Sequence, residues 1–598
     1  MTLDELLNQE VVLVSRRPEA ISRTASAIQV IQGDAIRRSG ATRLPEALRL
    51  ASNLQVAQID TSRWAVSARG FNSVLANKLL VQVDGRTVYS PLFAGVFWGP
   101  QDVMLEDVDR IEVVSGPGGA LWGANAVNGI INVRTKSARD TQGLLVTGGL
   151  GDGLSRLAAV RYGGEVKPNL HFRVYGKHSE RDGNRVPEGV ERGDWRATQG
   201  GFRLDWNPST DDVLTLQGDL YEKRLQGAVP DTVLRGRNLL GRWTHALSAD
   251  AGVEMQLYHD RAYRDIPGQY IDTLDTYDLD FQHHFRAADR HQIVWGAGYR
   301  LVQDDFQSGP IVILPGRLSL ETYSGFLQDT ISLQADRLHL TVGSKLEHNE
   351  YTGFELQPSA RLAWNQSDRQ TWWGAVSRAV RTPSRLDRDR HIGMALAGSP
   401  DFQSETLVAW EAGWRVQPHD RLSVAVATFY HDYDDIRSIE FAPPGSGAIF
   451  VIGNGQKGRS YGAEVAADYQ ATGWWRIHAG ITEMRVRIKP KPGSRDVSAG
   501  ALESVDAERY LSLRSTWDLP GNIELYAGLR HASRLTNRFS DTPAYTDLDA
   551  RLAWRPDPRW ELAVAGQNLL HDTHVEYGDS TMRHEVERTV YASVRWEY

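Results

Sequence analysis

The residues best suited to chemistry in this 598-residue chain are histidine pairs, clustered aspartates and a glycine-rich run. His571 and His574, and the adjacent His283 and His284, could offer imidazole nitrogens to a transition metal, which needs three or four ligands at fixed geometry. Neither set brings a third placed ligand, so solvated histidines are the plainer reading. Asp304 and Asp305, and Asp432, Asp434 and Asp435, could offer oxygens to calcium; ordinary acidic loop residues are the alternative. Gly116-Pro117-Gly118 with Gly123 has the composition of a phosphate cradle but not the spacing, lacks the Lys-Ser/Thr ending, and runs into a strand rather than a helix. No nucleophile–base set is evident, so no catalysis is expected. Cys is absent, which excludes a disulfide framework and a thiolate metal site.

Aromatics offer a different chemistry. Tyr89, Phe93, Phe97 and Trp98 fall in segment 89–101, and Arg63 and Trp64 in segment 60–64. Together they could form a partly cationic stacking surface for a planar or catecholate ligand. The alternative is that they pack one domain against another.

Two textures must position these residues. The first 142 residues read as mixed α/β. Strand patterns span 26–31, 79–84, 111–115 and 129–134. Asp34 is placed to cap a helical turn that Gly40 ends, and 43–51 reads as a second short helix. From residue 143 a period of two takes over: in 589–598, Val590, Ala592, Val594, Trp596 and Tyr598 oppose Ser593, Arg595 and Glu597. Tight connections (207–209, 417–420, 520–522, 556–558) alternate with long polar ones (180–194, 223–238, 304–318, 380–404, 436–457, 487–508, 569–586). Roughly 22 strand segments result, an even number, with the turn-and-loop polarity of a transmembrane barrel. A soluble sandwich has no reason to keep that polarity. No apolar run reaches the roughly 18 residues of a membrane helix. The net charge of −8 provides no basic field for nucleic acid. The start, Met1-Thr2-Leu3-Asp4-Glu5, has neither the basic region nor the apolar core of an export signal.

The segment Ser67-Ala68-Arg69-Gly70-Phe71 is followed in order by 81–86, 108–117 and 120–133. This set resembles the plug of TonB-dependent receptors. Weaker matches in 326–329, 377–383, 405–414, 462–464 and 567–570, and the terminal aromatic Tyr598, resemble the barrel of the same family. The resemblance implies a membrane all-β fold: a 22-stranded antiparallel β-barrel in the bacterial outer membrane with an N-terminal α/β plug domain inside its lumen. The implied divisions are an extension over 1–18, a plug over 19–142 and a barrel over 143–598. A barrel that wide would be open without a plug, so the two textures explain each other. The glycines of 116–123 would permit close backbone approach, and Asn128-Gly129 would make a hairpin-type turn.

The family locks plug to barrel with arginines facing glutamates. Arg69 matches the first arginine, and Glu411 and Glu464 match the glutamates. The second arginine is replaced by Ser115, so two carboxylates would face one guanidinium unless another cation substitutes. The alternative is that both glutamates line a watery lumen. The resemblance also implies TonB, with its ExbB/ExbD complex, as the partner that supplies work by pairing as a strand with an N-terminal box. Val11, Val12, Leu13, Val14 and Ser15 form a β-prone segment at that place, expected to be exposed, after a helix-like stretch over 2–8. With no signalling domain before it, a gene-regulating role is disfavoured. The function implied is energised import of a scarce nutrient: a ferric siderophore, haem or a cobalamin-like ligand. The receptor is expected as a monomer in outer-membrane lipid, without a resident cofactor. A passive or structural barrel, and a soluble β-rich binding protein, are the alternatives.

Overall fold

A computed structural model describes residues 9–183, 193–226, 231–335, 337–537, 541–578 and 584–598. The helix-like stretch over 2–8 lies outside them.

From Gly143 onward the chain forms a closed barrel of 22 long antiparallel strands, each paired with its neighbours in sequence. The first, Gly143–Gly151, pairs with the last, Thr589–Glu597, from Leu145 opposite Glu597 to Gly151 opposite Tyr591. Tyr598 completes the seam by exchanging backbone hydrogen bonds of 2.8 and 2.9 Å with Leu144. The burial pattern is inverted relative to a soluble sandwich. Leu220, Leu257 and Leu327 are 58–66% exposed, whereas Lys223, Arg264 and Asp272 are buried. Apolar outside and charged inside is the signature of a wall between lipid and a polar lumen.

The tight turns lie where expected, at the end that carries Gly143 and Tyr598. The opposite end differs from the sequence reading. Strands Asp212–Leu225 and Thr232–Ser248 run well into the loop expected over 223–238, and Leu422–Phe441 and Phe450–Thr472 into that over 436–457. Two outer connections, between Ile266 and Tyr270 and between Asn349 and Gly353, are tight hairpins. Polar composition marks exposure to water, and a polar ladder that rises clear of the membrane keeps its hydrogen bonds.

The lumen holds the N-terminal domain. Its sheet has the order Ala27–Gln32, Val108–Ser115, Gly129–Thr135, Leu79–Val83, Arg86–Thr87. Ile31, Val81, Val113, Ile131 and Val133 anchor its core. Gly40 ends the helix Gly33–Ser39 with φ +76° as expected. Asp34 does not cap it: the helix starts one residue earlier, and the Asp34 carboxylate instead takes Arg37 and Arg38 at 2.6 and 2.8 Å. Asn128-Gly129 is not a two-residue turn either. The connection runs from Gly116 to Asn128 and contains the short helix Gly119–Trp122.

Candidate functional site

The contacts between plug and barrel centre on one strained turn. φ is +54° at Arg69, +103° at Gly70 and +61° at Phe71, a region in which a non-glycine residue costs about 1–3 kcal/mol. The turn is held from three sides. Asp506, in the outer connection before Arg509–Leu519, accepts from the Phe71 and Asn72 backbone N–H groups at 3.1 and 2.9 Å. Ser460 donates to the Arg69 carbonyl at 2.6 Å. The Asn128 amide donates to the Ala68 carbonyl at 3.1 Å, while the Tyr433 hydroxyl donates to the Asn128 oxygen at 2.7 Å. So fixed, Arg69 enters the barrel wall and is fully buried. Its Nε and Nη2 reach Glu464 at 2.9 and 3.2 Å, its Nη1 donates to Glu411, and its guanidinium lies 4.5 Å over the Phe429 ring. Burial opposes the charge on Arg69, but Glu464 and Glu411 outweigh it and push its pKa up.

Two carboxylates therefore do face one plug guanidinium. Ser115 lies inside the plug sheet and accepts from the Asn53 amide at 2.8 Å. The cation near its position comes from the barrel: Arg361 donates to the Pro117 carbonyl at 2.8 Å, within electrostatic reach of Glu411. The glycines beside it are dictated by contact. A Cβ on Gly116 would clash with the Glu411 carboxylate, and one on Gly123 with that of Glu347. Nearby, the Ala124 N–H donates to Glu347 at 2.5 Å and the Asn125 N–H to the Val380 carbonyl at 2.8 Å.

Nearer the outer end lies a charge network whose plug member, Lys78, stands in none of the quoted strings. Plug Lys78, 3% exposed, donates to Glu405 and sits 4.5 Å over the Phe71 ring. Glu405 also takes Arg381 at 2.6 Å; Arg381 continues to Asp387 at 2.7 Å, Asp387 to Arg437 at 3.1 Å, and Arg437 to Glu503 at 2.6 Å. Burial lowers the Lys78 pKa against the pull of Glu405. The outer segment 385–386 hydrogen-bonds the plug backbone directly, from the Arg385 and Leu386 N–H groups to the Pro91 and Leu92 carbonyls at 3.1 and 2.9 Å. On the other side of the plug, Glu576 accepts from Arg49 at 2.5 Å and from the Gln58 N–H at 2.7 Å.

Several residues expected at the site stand elsewhere. Trp64, Phe93 and Trp98 are at most 4% exposed and present no stacking face. Trp64 and Trp98 belong to the plug core, and Phe93 packs on Phe306 and Ile313 of the barrel. Arg264 serves both Phe93 and Phe97, at 5.4 and 5.5 Å. Tyr89 is half-buried with its hydroxyl on the Asn77 carbonyl, and Arg63 is tied to Asp60 at 2.5 Å. An apolar ring has more to gain from a dry contact than from an open rim. The segment expected to be exposed at the N-terminus is also folded in. Val11 and Leu13 are at most 2% exposed beside Ile28, Val114 and Ile130, Ser15 is buried, and Val14 packs on the same cluster. Trp122 Nε1 donates to the Leu13 carbonyl at 2.7 Å, and Glu10–Val11 pairs with Glu19–Ala20. Val12 is half-buried. His574 turns onto Glu576 at 3.2 Å, and His283 stacks on Phe285. Among the described residues no group of three or more His, Asp or Glu side chains could hold a metal ion.

Comparison with known proteins fits this architecture. A description of the TonB-dependent receptor plug domain matches residues 20–130, and one of the TonB-dependent receptor-like β-barrel matches residues 137–569. An iron-regulated outer membrane virulence protein of Vibrio cholerae is 22% identical over 404 residues, 62% of this chain and 60% of that one. A vitamin B12 transporter of V. cholerae is 32% identical over 212 residues, 34% of this chain and 33% of that one. The chain thus spans at most about 60% of the length of these curated relatives. The solved ferric enterobactin receptor of Pseudomonas aeruginosa superposes with a TM-score of 0.82 at 17% identity, covering 96% of this chain and 98% of that one. With plug and barrel both matched, and with one seated inside the other, the chain belongs to the TonB-dependent receptors of the outer membrane.

Proposed function

We propose that this receptor imports a scarce metal chelate or a cobalamin-like nutrient by work drawn from TonB. The observation that carries the reading is the seated plug: buried ion pairs tie it to the wall at Arg69 and at Lys78. Breaking a buried pair costs about 3–5 kcal/mol, so thermal motion alone opens such a lumen rarely. A large solute would need the plug moved by an outside source of energy. The relatives support the ligand class, since those compared are an iron-regulated protein, a vitamin B12 transporter and a ferric enterobactin receptor. The half-buried aromatic Phe97, with Arg63 and Tyr89, remains the candidate contact for such a ligand at the plug apex. TonB would engage residues 11–15 once they leave the cluster around Ile130, pairing as an added strand. Growth of a deletion strain on defined ferric siderophores, haem and cobalamin tests the substrate. Uptake that persists at full rate without TonB would sink the energised reading and favour a passive barrel.

A further inference from the structure

The outward face of the barrel carries a charge pattern that import does not use. The neighbouring strands Phe450–Thr472 and Trp475–Pro490 place Arg459 directly opposite Arg487 and Lys457 directly opposite Lys489. All four point outward. The alternating residues beside and between them, Gln456, Ser460, Val486 and Ile488, point inward, and the last two pack on the Phe71 cluster. Alternate residues on one strand face lie about 7 Å apart and opposed residues about 5 Å, so the cations form a square. Like charges directly opposed destabilise a sheet, and here two such pairs are stacked. Asp432 lies 3.4 Å from Arg459, and Asp434 is taken by Lys491 at 2.7 Å. Among the described residues, Arg487 and Lys489 form no ion pair, and Lys457 has no carboxylate within 4 Å, although it lies within electrostatic reach of Asp434.

The level of the square is fixed by what lies beside it. Tyr461 opposes Tyr430, which opposes Trp410, with ring centroids 6.4 and 5.9 Å apart. Arg459 lies 5.8 Å over the Tyr430 ring. Aromatic girdles of transmembrane barrels mark the boundary between hydrocarbon and headgroups. The square stands just beyond this one, on the side away from the tight turn between Thr472 and Trp475.

We propose that Lys457, Arg459, Arg487 and Lys489 bind the phosphorylated headgroup of an outer-leaflet lipid. Guanidinium forks and ammonium charges suit phosphate oxygens, and one anion at the centre replaces two repulsions with four attractions. Below the cations the same face carries Tyr461, Ala463 and Val465 on one strand and Arg485, Glu483 and Ile481 on the other. Arg485 and Glu483 have partners in Glu508 and Arg509 at 4.0 and 2.9 Å, so acyl chains would run down the side of Tyr461 and Val465. Another like-charge pair, Arg196 opposite Arg224, serves as an internal contrast, because Glu180 and Glu222 already lie 3.9 and 2.8 Å from its members.

Native mass spectrometry of the full-length receptor, stripped in neutral detergent and titrated with bisphosphorylated lipid A, tests this. Wild type should retain one lipid, R459Q/R487Q should bind about tenfold more weakly or worse, and R196Q/R224Q should match wild type. Dephosphorylated lipid A and phosphatidylcholine should bind no better than to R459Q/R487Q. Three outcomes would overturn the proposal: unchanged binding by R459Q/R487Q, an equal loss in R196Q/R224Q, or displacement of the lipid by an equal concentration of inorganic phosphate. Heat-dependent gel mobility reports folding of each variant. Should R459Q/R487Q fail to fold, K457Q/K489Q, one step farther from the membrane, decides the matter by the same readings.

Discussion

Arg69 of the plug and Glu464 of the barrel form a two-point fork, Nε to Oε1 at 2.9 Å and Nη2 to Oε2 at 3.2 Å, with the guanidinium wholly out of water. Glu411 uses the remaining side of the same guanidinium. Removing Arg69 would leave two buried carboxylates without their cation. Arg69→Ala should therefore destabilise the seated plug by about 3–5 kcal/mol. Faster limited proteolysis of the plug and greater permeability to large antibiotics would show it. Arg69→Lys keeps the charge and loses the fork, so it should fall between. Wild-type protease resistance in Arg69→Ala would refute the lock.

The Arg69 cluster was legible because its three members sit in recognisable strings; the Lys78 network was not. Lys78 and Glu405 are 327 positions apart; Glu405 opens the same string that holds Glu411, but Lys78 falls between the plug strings, so nothing local pointed to a partner for it. The barrel was legible because lipid outside and charge inside impose a period of two for 450 residues. What the aromatics of 89–101 and the segment 11–15 do was not, since composition and β-propensity are the same for a ring or strand that faces water and for one packed on Phe306 or Ile130.

Asp506 ties the strained turn to an outer connection and should confer a pH dependence. Burial raises its pKa to about 6, against the opposing hydrogen bonds from Ser504, Asn72 and Phe71. The folded-state value lies above the ordinary 3.8. Its contribution is thus full below that ordinary value and is lost as pH rises through the folded one, between about pH 4 and 6. The protection factors of the Phe71 and Asn72 amides, which take out the intrinsic rise of exchange with pH, should fall across this interval in wild type. Asp506→Asn should be flat; the same slope in both would assign the effect to another group.

Glu576 predicts the opposite sign. Burial works against its charge, but Arg49, His574 and Arg530 outweigh it and hold the carboxyl well below its ordinary range. This contribution is present above the ordinary carboxylate value and is lost as pH falls toward the folded one. Glu576→Gln should cost about 1–3 kcal/mol at neutral pH, because it weakens the charged hydrogen bonds to Arg49 and the Gln58 N–H. A nitroxide placed at Asp572 should become mobile in the variant at pH 7, and in wild type only in acid. An immobile label under both conditions would show that the rest of the outer connection holds without this contact.

The N-terminal segment is seated on the plug by Val11 and Leu13 and is pinned at its far end through Trp122 and Arg16, which makes its release testable separately from unfolding. Trp122 Nε1 donates to the Leu13 carbonyl at 2.7 Å, and Arg16 lies 4.4 Å over the same indole while its Nη1 reaches Asp280 at 2.7 Å. Trp122→Leu removes the hydrogen bond and the stacking together, at a cost of about 1–3 kcal/mol confined to this corner of the plug. Local openings of that size leave global stability nearly untouched. Trypsin should then cut after Arg16, the Arg17-Pro18 bond being resistant, several-fold to about a hundredfold faster, the rate change that 1–3 kcal/mol implies, while the thermal midpoint of the barrel stays where it was. If cutting and melting shift together, the segment opens only with the whole plug, and TonB would have to capture it by a route other than local release.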